Sequence, residues 1–192
     1  MPESAKVPPS SSSARESTPA TIDVWDLPLR LFHWSLAAAV LIAYFSANVL
    51  DTVHEIAGYA VLVLIAFRLV WGFAGTRYSR FASSMRPLRI VLRYLGQIAK
   101  GETGRYLGLN PAGAAMSAAL LVLLAVSTIS GWMQVTEKFF GVDWVETLHT
   151  WSSNLVLILA VVHVLGVVLM CVLQKENLVR AMITGKKRAR GE

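Results

Sequence analysis

The chain has 192 residues, 55% of them hydrophobic and only 16% charged, a balance that excludes an ordinary soluble domain and points to a membrane protein. Its formal charge of +6 could suit nucleic acid. The basic residues flank apolar stretches, however, so membrane lipid and cytoplasmic loops explain them better, and no nucleic-acid partner is expected. A single cysteine, Cys171, rules out an internal disulfide and a cysteine-held iron–sulfur cluster.

Residues 1–20 contain six Ser and four Pro and lack the apolar core of a leader peptide, so they are expected to form a disordered tail. Four apolar stretches follow, at 29–50, 54–74, 111–135 and 148–173. Each is long enough to cross a hydrocarbon core, which takes about 20 helical residues. Asp26 can cap the first helix, with Pro28 suited to its opening turn; Asn110 and Pro111 repeat that logic at the third. The second should stop near Gly72 and Gly75. Between the second and third, Leu88, Val91, Leu92, Leu95 and Ile98 recur at helical spacing, with Arg86, Arg89, Arg93 and Lys100 on other faces. That pattern suits a short helix lying in the headgroup region; a soluble helix packed on the bundle ends is the alternative.

Charge fixes the expected orientation. Segment 74–112 carries seven basic residues against Glu102, and 174–192 carries six against Glu176 and Glu192. Segment 136–147 has Lys138 against Glu137, Asp143 and Glu146. By the positive-inside rule both termini and the long middle loop face the cytoplasm. The domain reading is a tail over 1–20, a four-helix transmembrane unit over 21–175 and a basic cytoplasmic tail over 176–192.

All four histidines, His33, His54, His149 and His163, lie in or at the edge of these spans. Polar groups there are costly and mark function, and neutral imidazole is a common iron ligand. His149 and His163 share the fourth helix, 14 residues apart, which is about 21 Å along the axis and roughly 40° around it. His54 opens the second helix, near the outer surface, and His33 lies a turn into the first, near the inner surface. Depth therefore pairs His54 with His149 and His33 with His163. Two nitrogen ligands per level suit the axial positions of a haem. They suit zinc poorly, which prefers three or four protein ligands. With no Cys-x-x-Cys-His motif, any haem is non-covalent. The competing readings are hydrogen-bonded structural histidines and a haem-free proton or metal transporter. A transporter would more often bury carboxylates, and the only acid within a span is Glu55, at its edge.

The segments VWDLPLRLFHW at 24–34, RLVWGFAGTRYSRF at 68–81 and LNPAGAAM at 109–116, with His149 and His163 beyond them, resemble the bacterial cytochrome b561 family. That family shares its core with the b-type cytochrome subunits of nickel–iron hydrogenases. The resemblance covers about residues 22–175. It implies an all-α, transmembrane four-helix bundle binding two b haems (iron) through His33, His54, His149 and His163. It also implies electron transfer in a respiratory chain between membrane quinone and a redox protein partner, of cytochrome c or dehydrogenase/hydrogenase type, in the bacterial inner membrane. Whether the chain has quinone oxidoreductase activity of its own, or serves as the membrane anchor of a soluble oxidoreductase, stays open, as does a homodimer. One departure is Leu109, where relatives often have His before Asn-Pro; it is not a ligand position.

Three further positions stand out. Arg68 follows His54 by 14 residues and should lie one haem depth further inward, to pair with an anionic haem propionate or to snorkel to headgroups. Gly58 and Gly166 follow ligand histidines by four and three residues. They would either let a flat macrocycle approach the backbone or serve close helix packing. The six tryptophans cluster near span ends, as an interfacial belt does.

Overall fold

The computed structural model describes residues 21–102 and 104–189; the expected disordered tail over 1–20 lies outside the described residues. Four long helices carry the fold: α1 Leu27–Ser46, α2 Asp51–Ala74, α5 Pro111–Gln134 and α6 Asp143–Gln174. All four are long and apolar enough to cross a membrane. Shorter helices α3 Phe81–Ser84 and α4 Leu88–Ala99 lie in the middle segment, and α7 Leu178–Thr184 follows α6.

The helix starts obey local chemistry. Asp26 accepts the Leu29 amide at 2.8 Å and Asn110 accepts the Gly113 amide at 2.7 Å, so each satisfies an amide that has no partner within its helix. Two boundaries differ from expectation. α2 begins at Asp51, so His54 sits one turn inside it. α6 begins at Asp143, five residues before the expected start, with Asp143 and Glu146 in its first turn. Acids there favour the positive end of the helix dipole; they read as loop residues only because they are polar. α6 ends with Lys175 in the left-handed region, φ 49°.

Helices α1 and α2 pack closely together, as do α5 and α6, and α2 packs on α5. The shared core is a band of Ala39, Val61, Ile65, Leu124 and Val156, with Leu36, Val40, Leu64 and Leu123 against it. Many other large apolar residues face outward, among them Phe45, Val63, Phe73, Leu165 and Val172, as expected where lipid rather than protein covers them.

One end of the bundle gathers the described chain ends and the middle segment. Residues Thr21–Asp23 (β1) pair antiparallel with Lys186–Arg188 (β2), Ile22 opposite Lys187. Neither strand was anticipated, because Lys-Lys-Arg reads as a charged tail and has little strand propensity. The C-terminal segment thus folds back. Lys187 is only 4% exposed, and its Nζ donates to the Tyr106 carbonyl at 3.1 Å. Arg105 pairs with Glu176 at 2.9 Å and donates to the Arg188 carbonyl. Partial burial raises the Glu176 pKa, but the Arg105 hydrogen bond and the neighbouring cations outweigh it and hold the carboxyl below its usual range.

α4 exists where its periodicity placed it. Val91 and Tyr94 turn into the protein, whereas Leu88, Leu92 and Leu95 stay exposed, leaving an apolar stripe beside Arg89 and Arg93.

Candidate functional site

The histidines meet as the depth argument expects. The His54 and His149 rings have centroids 6.0 Å apart, and those of His33 and His163 are 6.4 Å apart. His54 sits on α2, His33 on α1, and both partners on α6. The core band lies between the two levels: Val156 is seven residues from each histidine of α6, or about 10 Å of helix. Among the described residues no group of three or more His, Cys, Asp or Glu could hold a metal ion, so each pair stands as two imidazoles.

Two imidazoles bound axially to one iron place their centroids about 6 Å apart, given nitrogen–metal bonds of about 2 Å and ring centres roughly 1 Å behind each nitrogen. The observed separations fit. So does the packing: α6 has no close helix interface with α1 or α2 to match α1–α2 or α5–α6, and its ring contacts with them are the two histidine pairs. A Cβ built on Gly58 or Gly166 meets nothing within 4 Å. There is therefore open space beside these two glycines, one turn from His54 and His163.

The hydrogen bonds of the two levels differ. His54 Nδ1 lies 2.7 Å from the Ala43 carbonyl, and His149 Nδ1 lies 2.8 Å from the Ser127 carbonyl. A carbonyl can only accept, so each Nδ1 carries the hydrogen and each Nε2 is left as the metal-binding lone pair. His33 Nδ1 is buried with no partner among the described residues. Its ring instead packs edge-on against Trp34, 5.2 Å between centroids.

Two residues of this site were missed in the sequence. Ser127 supplies the carbonyl for His149, and its hydroxyl pairs with that of Ser153 at 2.7 Å. A Cβ on Gly131 would lie 2.9 Å from His149 Cε1 and 3.1 Å from its Nδ1, so only glycine lets the ring sit against α5. The signal was available: Ser127 and Gly131 form a small-residue pair four apart, the pattern that brings membrane helices close.

Arg68 is 8% exposed, so it does not reach out to headgroups. Its Nη1 donates to the Ser79 carbonyl at 3.0 Å, and Cζ lies 4.5 Å from the Phe81 ring centre. A guanidinium has five N–H donors, so donors remain for a second acceptor. Nearby, Asp26 accepts from Thr76 and Ser79 hydroxyls, both at 2.6 Å, and from the Trp71 indole at 3.2 Å. Burial alone would raise the Asp26 pKa, but the Ser79, Thr76, Leu29 and Trp71 hydrogen bonds together hold it below the usual range. Phe81 fills the space above Gly72, where a Cβ would come within 2.0 Å of its ring. This knot joins the start of α1 to the end of α2.

A family model described as prokaryotic cytochrome b561 matches residues 24–185. A probable Ni/Fe-hydrogenase B-type cytochrome subunit of Rhodobacter capsulatus is 25% identical, over 87% of this chain and 81% of its own. One of the same description from Bradyrhizobium diazoefficiens is 23% identical, over 98% of this chain and 95% of its own. No solved structure matches the chain.

Proposed function

Because the chain belongs to the prokaryotic cytochrome b561 family, we propose that it moves electrons across a membrane through two non-covalent b haems, one held by His54 and His149 and the other by His33 and His163. The observation that carries this is the pair of ring separations, 6.0 and 6.4 Å, at two levels of one bundle. Bound there, haem iron supplies a one-electron couple. The protein's work is to hold and tune it. His33, His54, His149 and His163 would hold the two irons, which would keep small molecules off the metal. The carbonyls of Ala43 and Ser127 fix the tautomers of one pair. The open space beside Gly58 and Gly166 would admit a flat macrocycle, and Arg68 has donors left that would suit a propionate.

The reading places the termini in the cytoplasm of a bacterium and the 47–50 and 135–142 links outside, with quinone as one redox partner and a protein as the other. The links hold one basic residue, Lys138, against the many at the opposite end, which supports that orientation. A second reading, in which the chain is the cytochrome subunit of a hydrogenase, is favoured by the descriptions of both relatives. Co-purification of a soluble redox subunit would select it. The test of the haem reading is a pyridine haemochrome assay of the purified protein: about two haems per chain are expected from the ligand count, and none or one would refute it.

A further inference from the structure

The two histidine pairs are chemically unequal, and the inequality has a direction. At the level of His54 and His149, both Nδ1–H groups are given to backbone carbonyls, of Ala43 and Ser127. An imidazole that donates its far N–H becomes a more basic ligand. A more basic ligand favours the more positive iron, so it lowers the reduction potential. At the level of His33 and His163 this assistance is missing. His33 Nδ1 is buried without a partner, and no hydrogen bond to the His163 ring is present among the described residues.

Charge acts in the same sense. Glu55 adjoins His54 and Asp51 precedes it by one turn; Glu146 and Asp143 precede His149 within two turns. Lys138 and Glu137 in the neighbouring link offset each other. Negative charge disfavours the reduced, less positive iron. At the other level Arg30 precedes His33 by one turn and Arg68 is buried on α2, with Asp26 as the opposing acid. The acids near His54 are exposed and screened, so the hydrogen bonds are the stronger of the two effects.

We infer that the His54–His149 site is the low-potential site and the His33–His163 site the high-potential one, so that a single electron entering the protein rests between His33 and His163. Transfer between them oxidises the ferrous iron of the first site and reduces the ferric iron of the second, with no bond or proton exchanged. This rests on the haem reading above and adds to it the direction of flow: electrons run downhill from the face with the 47–50 and 135–142 links to the face that gathers the described chain ends. It also makes Gly131 and Ser127 positioning residues, since they hold the His149 ring on its acceptor.

The test is potentiometric titration of the full, haem-loaded chain and of Gly131→Ala, followed by visible absorption. The added methyl would meet His149 Cε1 at 2.9 Å and Nδ1 at 3.1 Å, so the ring must shift and its hydrogen bond to the Ser127 carbonyl is weakened. The expected result is an upward shift of the lower-potential component alone. If Gly131→Ala instead drops one haem, the component kept must be the higher-potential one. Movement or loss of the higher component, or no movement of either, overturns the inference while the haem reading stands. A wild-type chain that binds no haem overturns both.

Discussion

Replacing His163 with alanine tests the two-level geometry most directly. His163 is 14 residues from His149 on one straight helix, about 21 Å, and its ring faces His33 rather than His54. The variant should lose the haem between α1 and α6 and keep the one between α2 and α6. The kept haem should barely notice. Two unit charges 21 Å apart interact by about 0.8 kcal/mol at an effective dielectric of about 20. With a tenfold change in equilibrium near 1.4 kcal/mol, or 59 mV for one electron, that is about 35 mV. Potentiometric titration of the purified variant should therefore show a single component within about 35 mV of one wild-type component, the bound being that same Coulomb term. His149→Ala should show the complementary component. If both variants lost the same component, or if the survivor moved by far more than the Coulomb bound, the histidines would not form two independent levels.

Other outcomes follow from the ends of the bundle. Asp26→Ala removes a helix cap and three further hydrogen bonds; a cap is worth about 1 kcal/mol and hydrogen bonds to a charged group more, so a loss of roughly 3 kcal/mol is expected. Denaturant unfolding followed by Trp71 fluorescence should register it, and a change under 1 kcal/mol would mean that the knot is incidental. Asp26 and Glu176 have pKa values held below their ordinary range. Their stabilisation is complete above the unfolded-state carboxylate range and is lost as pH falls through the lower folded values. Asp26→Asn should flatten the acid limb of a stability–pH curve; an unchanged limb would exclude it as a contributor. Arg68→Gln removes a buried cation on the side of His33 and should shift that haem negative by a few tens of millivolts, reduced by the nearby Asp26. Equal shifts of both components would show that Arg68 acts on neither site in particular.

What could be read from the sequence was what one helix determines by itself. The separation of His149 and His163 is fixed by rise per residue, and their partners follow from the depth at which α1 and α2 carry theirs. Asp26 and Asn110 announce their helices because a cap is a local bond. What could not be read depends on which distant segments touch. Asp26 reads as a cap alone, yet it also binds Trp71, Thr76 and Ser79, some 45 to 53 residues away. The spacing of Ser127 and Gly131 announces a close helix contact, but they lie on a helix without histidine, so it does not say that the contact is with His149. β1 and β2 are three residues each and stand only because the two described chain ends return to the same place.

The band between the histidine levels is an apolar layer. Ala39, Val61, Ile65, Leu124 and Val156, with Leu36, Val40, Leu64 and Leu123 against them, hold no ionisable side chain, and burying an isolated charge among them would be costly. These residues offer a proton no carrier, whereas an electron passing between the two proposed sites needs none. The charged groups lie toward the ends, Asp26, Arg68, Arg105, Glu176 and Lys187 at one and Asp51, Glu55, Asp143 and Glu146 at the other. On the proposed reading of quinone as a redox partner, its protons are exchanged at one end of the bundle. A site open to that end and close to the nearer histidine pair is what such chemistry requires, and the helix faces around either level, rather than the middle of the bundle, are where substitutions should alter quinone turnover while leaving both haem potentials in place.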